Sequence, residues 1–142
     1  AIRGGSAGGY SVMACLANSE LFSAGASYYG ISDLEILAQE THKFEAHYLD
    51  SLIGPLPETK NRYIERSPIN KIRNISAPLL LLQGLEDKVV PPSQAELICD
   101  KLQRQGTEVT YLTFSDEGHG FRQSKNQIRA LNAELEFYLK YL

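Results

Sequence analysis

Hydrophobic positions along the chain alternate between strand-like runs and helix-like periodicity. The four consecutive leucines at 79–82, closed by Gly84, predict a strand buried on both faces of a parallel sheet. Apolar residues over 108–114 predict a second strand, and those over 22–29 predict a shorter buried strand. Residues 31–66 are more polar and predict short helices joined by loops.

Three longer helices are predicted between and after these strands. Residues 10–18 are apolar on almost every side, which is typical of a buried helix. A second helix has Pro92 in its first turn and stops at Gly106, and its i, i+3, i+4, i+7 apolar face comprises Ala95, Ile98, Cys99 and Leu102. The last helix is amphipathic, and its apolar stripe comprises Ile128, Leu131, Leu135, Tyr138 and Leu142.

The resulting order predicts an α/β fold with a mostly parallel sheet covered by helices. It runs strand stub, helix, strand, helices, strand, helix, strand, helix, and such alternation implies right-handed crossovers. Functional sites in open α/β sheets lie outside the carboxyl ends of the strands. Three loops meet that condition, after the stub, after Gln83 and after Phe114.

Gly4-x-Ser6-x-Gly8 matches the nucleophile elbow, in which a serine occupies a strained strand-to-helix turn. Small flanking residues suit such a turn because larger side chains would collide with the backbone. The N–H groups of the following helix can stabilise a developing oxyanion. An ordinary glycine-rich turn is the alternative, since a chance match occurs in roughly one chain in twenty at average composition.

Asp87 and His119 follow the next two well-marked strands. A carboxylate at a strand end can orient a histidine, although Asp87 also suits a simple turn and Glu86 competes for the role. His119 lies between two glycines in a loop and could serve as a base or be an ordinary surface residue. The order serine, aspartate, histidine is that of the α/β-hydrolase fold, and this conjunction favours a catalytic triad.

Other candidate sites are weaker. Three residues with metal-binding side chains do not have the spacing of a helical metal motif: His42, Glu45 and His47. Cys15 and Cys99 fall on apolar helix faces and are interpreted as small core residues. Tyr29, beside Tyr28 at a predicted strand end, could line a substrate pocket or simply pack in the core. No phosphate-binding glycine motif occurs, and no metal or cofactor is expected.

Composition narrows the function classes further. With 43% hydrophobic and 22% charged residues and a net charge of −3, the chain has the composition of a globular protein. We expect no nucleic-acid or membrane partner, because no basic patch and no long apolar segment is present. Two cysteines and the lack of a leader favour a reducing, cytoplasmic compartment. The abrupt start at the glycine cluster suggests a fragment of a longer protein.

Three segments together resemble the catalytic domain of the prolyl oligopeptidase family of serine peptidases: 4–10 (GGSAGGY), 83–91 (QGLEDKVVP) and 118–121 (GHGF). The family includes dipeptidyl and acylaminoacyl peptidases. The resemblance implies that Ser6 is the nucleophile, His119 the base and Asp87 the acid that orients it. It also implies that the Ala7 backbone N–H is one oxyanion donor.

The resemblance further implies that residues 1–142 are a partial α/β-hydrolase domain, without its upstream half and a β-propeller. Short peptides are the implied substrates, hydrolysed through an acyl-enzyme. The implied partner is the missing upstream half or a second copy of the chain, which would cover an unpaired sheet edge. An esterase or lipase-like hydrolase and a catalytically silent interaction fragment are the alternatives, and activity of the isolated chain is left open.

Overall fold

The computed structural model describes residues 1–40 and 48–142, and its centre is a four-stranded parallel sheet. The strands lie in the order β1, β2, β3, β4, with bounds Ile2–Gly5, Gly25–Tyr28, Leu79–Gly84 and Val109–Phe114. In register, Gly25 lies between Ile2 and Leu79, and Leu79 also pairs with Val109. The predicted α/β class with a parallel sheet is confirmed.

The helices lie where the hydrophobic periodicity predicts them, with shifted ends. Their bounds are α1 Ala7–Asn18, α2 Leu34–Glu40, α3 Tyr48–Leu52, α4 Lys60–Arg66, α5 Ser93–Gln105 and α6 Ser124–Tyr141, with a 3-10 helix at Pro68–Asn74. Pro92 is the N-cap residue of α5, so it precedes the first helical turn, whereas the sequence predicted it within that turn. Gly106 ends α5 in the left-handed conformation, with φ of 84°. The described part of 31–66 forms short helices, as predicted.

Two hydrophobic clusters cover the two faces of the sheet. Leu79 and Leu81 pack with α1, α5 and the 3-10 helix on one face. Leu80 and Leu82 pack on the other face with Phe114 and with α6. Successive side chains of a strand point to opposite faces, so all four leucines are buried, as predicted for β3.

The apolar stripe of α6 does not face the core. Its four aliphatic members are between 57% and 68% exposed: Ile128, Leu131, Leu135 and Leu142. The buried residues of the helix are Asn126, Ala130, Glu134 and Phe137. An amphipathic helix normally buries its apolar stripe, so this face departs from the ordinary rule.

Glu134 is the charged residue on the buried side of α6, and hydrogen bonds stabilise its carboxylate there. Its carboxylate accepts hydrogen bonds from Tyr28 Oη at 2.6 Å, Tyr138 Oη at 2.9 Å and Arg3 Nε at 2.8 Å. A buried carboxylate with several donors avoids most of its desolvation penalty. These bonds lower the pKa of Glu134 although burial alone raises it.

In the described part of the chain, no helix is long and apolar enough to cross a membrane. Cys15 and Cys99 are free thiols, with Cys99 in the core and Cys15 half-buried on α1. Burial raises the pKa of the Cys99 thiol. Cys99 is therefore the small core residue that its helix face predicts, whereas Cys15 is only partly so.

Candidate active site

Ser6 occupies the sharp turn between β1 and α1. Its backbone has φ of 56° and ψ of −119°, a conformation that side-chain-bearing residues rarely adopt. Two backbone hydrogen bonds hold the turn, from Ser6 N–H to the Tyr28 carbonyl at 2.9 Å and from Tyr10 N–H to the Ser6 carbonyl at 3.0 Å. Strained residues held in this way cluster at functional sites. The turn presents the Ser6 hydroxyl at the carboxyl end of β1.

Close approach requires two of the glycines beside Ser6. A Cβ on Gly4 would lie 2.4 Å from the Gly8 carbonyl oxygen, and a Cβ on Gly9 would lie 2.7 Å from the Gly30 Cα. A Cβ on Gly8 itself would meet no atom within 4 Å. The predicted need for a small residue therefore holds at Gly4, where the backbone of Gly8 is the neighbour, and not at Gly8 itself.

The structure brings the side chains of Ser6, Asp87 and His119 together. His119 Nε2 lies 2.9 Å from Ser6 Oγ, and His119 Nδ1 lies 2.8 Å from Asp87 Oδ2. These three residues follow β1, β3 and β4, so the parallel strands deliver them to one edge of the sheet. With a proton on Nδ1 donated to Asp87, Nε2 is an acceptor for the Ser6 hydroxyl proton.

Asp87 is held rigidly in the interior. Its side chain has no exposed surface, and Oδ1 accepts the backbone N–H groups of Val89 at 2.9 Å and Val90 at 2.8 Å. Gln83 Nε2 lies 3.4 Å from Asp87 Oδ2, the oxygen that faces His119. Glu86, the competing carboxylate, is exposed. The fold therefore places Asp87 rather than Glu86 against the histidine.

Tyr29 contacts the histidine and also lines a cavity of about 310 Å³, together with Gly5 and Phe121. Its ring lies edge-on to His119, with centroids 5.0 Å apart, and also edge-on to Phe121 at 5.4 Å. Tyr29 has a positive φ of 39°, and its ring lies 3.0 Å from where a Cβ on Gly5 would be. Tyr29 therefore packs against one side of the imidazole.

Ala7 begins α1, so its N–H has no acceptor within the helix.

A largely apolar cavity of about 450 Å³ opens beside Ser6. Side chains from α1, α2, α3 and the segment after Asp87 line it, including Tyr10, Leu37, Leu49, Leu52, Val89 and Val90. Sequence reasoning missed this cavity, because its walls come from five segments that are separate in the sequence. The nearest signal was the Val89-Val90 pair, which comes directly after the Asp87 turn.

Tyr10 and Arg66 are two of the polar residues of this cavity wall, which also includes Ser6 and Tyr48. Tyr10 Oη donates to the Arg66 carbonyl at 2.9 Å, which joins α1 to the end of α4. Burial raises the pKa of Tyr10, while the Arg66 charge lowers it by less. The Tyr10 phenol is thus a neutral group on the cavity wall at physiological pH.

Within residues 1–40 and 48–142, no group of three or more histidine, cysteine, aspartate or glutamate side chains could hold a metal ion. The weak metal candidates, His42, Glu45 and His47, lie outside the described residues.

The parallel sheet, the strained serine turn and the strand-end loops define the chain as part of an α/β-hydrolase. The prolyl oligopeptidase family model matches residues 1–142. The chain therefore belongs to the prolyl oligopeptidase family.

Individual relatives agree with this assignment. Dipeptidyl aminopeptidase BIII of Pseudoxanthomonas mexicana is 34% identical, over 98% of this chain and 21% of that protein. A puromycin-hydrolyzing peptidase of Mycobacterium tuberculosis is 48% identical with a TM-score of 0.96, over 99% of this chain and 21% of that structure. An acylaminoacyl peptidase of Pyrococcus horikoshii is 32% identical with a TM-score of 0.87, over 99% and 23%. The chain spans about a fifth of the length of these relatives.

Proposed function

We propose that this chain carries the catalytic triad of a serine peptidase that hydrolyses short peptides. The observation that supports this is the continuous contact from Ser6 Oγ through His119 to Asp87, at 2.9 and 2.8 Å. Ser6 is the nucleophile, His119 the general base and Asp87 the group that orients the imidazole. The peptidase names of the relatives support the peptide class of substrate.

Proton transfer follows the two hydrogen bonds of His119. As the Ser6 oxygen attacks a peptide carbonyl carbon, its proton passes to His119 Nε2 and a carbon–oxygen bond forms. The carbon–nitrogen bond then breaks, and the leaving amine takes the same proton from His119, which leaves an acyl-enzyme on Ser6. Water then attacks the acyl-enzyme, and His119 takes a proton from the water and returns it to the Ser6 oxygen as the acyl group leaves. The carboxylate of Asp87 stabilises the imidazolium during both acylation and deacylation.

The start of α1 supplies charge stabilisation for the oxyanion. The Ala7 N–H is adjacent to Ser6 and lies at a helix N-terminus, where backbone N–H groups favour negative charge. Ala7 and Ser6 both line the apolar cavity. When the carbonyl carbon of a substrate residue lies near Ser6 Oγ, the carbonyl oxygen would therefore lie near the N-terminus of α1. The side chain of the same substrate residue would lie near the cavity.

The cavity supports a preference for an apolar side chain in the substrate. Its apolar walls and a volume of about 450 Å³ suit a bulky apolar or aromatic residue next to the scissile bond. The Tyr10 hydroxyl on the cavity wall already donates to the Arg66 carbonyl. Among the described residues that line the cavity, Arg66 is the one with a charged side chain, so a cationic side chain would lose its hydration there without a partner of opposite charge.

Polypeptide of the same gene product, outside these residues, covers the exposed surfaces. Among the described strands β1 pairs only with β2, so its other edge is unpaired, and the apolar stripe of α6 is exposed. Unpaired edges and large apolar patches mark surfaces that other polypeptide occupies. The chain spans about a fifth of its relatives, which supports more of the same protein as the occupant.

A fluorophosphonate probe tests the proposed nucleophile. The full-length gene product is expected to be labelled at Ser6, and Ser6→Ala is expected to abolish labelling while the circular-dichroism spectrum is unchanged. Ser11→Ala is the matched control, because Ser11 is exposed on α1 and bonds only the Ala7 carbonyl. Wild-type labelling of Ser6→Ala would exclude Ser6 as nucleophile. Turnover of esters without peptide amides would favour an esterase instead.

A further inference from the structure

The loop that carries His119 contains a buried carboxylate that the proposed mechanism does not use. This loop runs from the end of β4 to the start of α6, and Glu117 within it is only 3% exposed. Burying a carboxylate is unfavourable unless hydrogen bonds or an opposite charge compensate it. The partners of Glu117 therefore indicate what the charge does in this loop.

The Glu117 side chain joins the two ends of the loop across His119. Oε2 accepts the Arg122 N–H and Oε1 accepts the Gln123 N–H, both at 2.9 Å. Asn126 Nδ2, in the first turn of α6, also donates to Oε1 at 2.9 Å. Hydrogen bonds to an ionised carboxylate are about twice as strong as neutral ones. The carboxylate thus closes the backbone that presents the imidazole.

The Glu117 backbone fixes the same loop to the Asp87 segment. Its carbonyl accepts the Glu86 N–H at 2.9 Å. Gly84 permits this approach, because a Cβ there would lie 2.4 Å from the Glu117 carbonyl oxygen. One residue therefore joins the segment before His119, the segment after it and the turn that carries Asp87.

Glu117 keeps its charge at neutral pH. Burial raises its pKa, and the neighbouring Asp116 carboxylate does so as well. The hydrogen bonds from Arg122, Asn126 and Gln123 outweigh both, and the pKa of Glu117 lies below its ordinary value. Lys125 pairs with Asp116 at 2.7 Å and offsets part of the acidic charge. Glu117 therefore acts only as an acceptor.

We propose that Glu117 is a positioning residue that holds His119 between Ser6 and Asp87. The inference rests on the proposed triad. The imidazole must contact both partners at once, and its loop has glycine on either side, which provides little rigidity of its own. The hydrogen bonds of Glu117 supply that rigidity without contact to substrate or to the reacting atoms.

Steady-state kinetics of Glu117→Gln in the full-length gene product tests this role. The new amide presents an N–H₂ group to donors, so at least one loop hydrogen bond is lost. We expect kcat to fall by about 10–100-fold, because small misplacements of catalytic groups have effects of that size. KM should stay within about twofold, because the cavity residues are untouched. Glu117→Asp, which restores the charge, should recover part of kcat.

The controls separate this role from general destabilisation. Glu20→Gln makes the same chemical change at an exposed position and should leave kcat and KM unchanged. If Glu117→Gln does not fold, Asn126→Ala removes one of the three hydrogen bonds and should lower kcat by less, again at constant KM. An unchanged kcat in the variant that folds, or a parallel rise in KM, would overturn the positioning role.

Ser6→Ala, assayed beside these variants, separates the two proposals. Activity retained in Ser6→Ala would overturn the triad, and the role of Glu117 with it. Activity lost in Ser6→Ala but complete in Glu117→Gln would overturn only the positioning role.

Discussion

Helices α5 and α6 both carry apolar residues at helical spacing, but only α5 turns that face towards the sheet. The predicted face of α5 is buried throughout, with Ile98 and Leu102 fully inaccessible. On α6 the corresponding leucines are exposed, and Leu135 is 57% accessible. Spacing therefore identifies which residues share a helix face, whereas the partner available to that face decides which side is buried.

The difference lies in what the sheet offers each helix. Leu79 and Leu81 of β3 present only apolar surface to α5. Beneath α6, Tyr28 and Arg3 carry polar groups that bond Glu134, so a carboxylate is the complementary residue there. Phe137 and Ala130 complete that face. The leucines on the other side of α6 are therefore exposed and can contact other polypeptide.

Leu102→Ala should have the largest effect on stability among the substitutions that test this comparison. The side chain is fully buried in the cluster around α5, and deletion of such a leucine costs about 2–5 kcal/mol. Urea unfolding of the chain measures the change in the free energy of unfolding. Leu139→Ala on α6 is the matched control, since Leu139 is 77% exposed and its loss should cost less than about 0.5 kcal/mol. Equal costs would contradict the assignment of the two faces.

Glu134→Gln should have the next largest effect. It weakens charge-assisted hydrogen bonds from Tyr28 and Tyr138, and the expected cost at pH 7 is about 1–3 kcal/mol. The ion pair with Arg3 adds little, because the Arg3 side chain is 58% exposed. Urea unfolding of both proteins measures this difference.

The pH dependence of that difference identifies the charge. The pKa of Glu134 is lowered by folding, so its stabilisation is complete above the unfolded value of about 4.3 and is lost as pH falls through the lower folded value. The stability gap between wild type and Glu134→Gln should therefore narrow below about pH 4. Glu136→Gln, on the exposed side of α6, should have the same free energy of unfolding as wild type both at pH 7 and below pH 4. A gap that is constant with pH would exclude the charge as its origin.

The sheet was predictable because local patterns determine it. The leucines of β3 have apolar neighbours on both faces, and Gly106 ends α5 by a conformation that glycine adopts freely. The buried side of α6 was not predictable, because the hydrogen bonds from Tyr28 to Glu134 join residues 106 positions apart. No local periodicity contains such a partner.

The candidate site, like the fold, was predictable from the sequence only in part. Ser6, Asp87 and His119 could be proposed from motifs, since each follows a predicted strand in the order of one known fold. The packing of Tyr29 on His119 and the cavity walls from α2 and α3 depend on how distant segments meet. Glu117 lies two positions before His119 in the sequence, but its importance follows from burial and hydrogen bonds that appear only in three dimensions.

Leu135→Lys should have the smallest effect on stability, and it tests what the exposed face of α6 does. The side chain is 57% exposed, so the free energy of unfolding of the 142-residue chain at low concentration should change by less than about 0.5 kcal/mol. The isolated chain should nevertheless self-associate, because its apolar face lacks the polypeptide proposed to cover it.

Light scattering should then give a lower average mass for Leu135→Lys than for wild type. Asn132→Lys, which adds the same charge at an exposed polar position, should leave the mass unchanged. Because the control carries an equal charge, a difference between the two variants reports the lost leucine rather than electrostatic repulsion. A wild-type chain that is a monodisperse monomer would contradict the proposal that other polypeptide covers α6. A large loss of stability in Leu135→Lys would instead mean that this face packs within the chain itself.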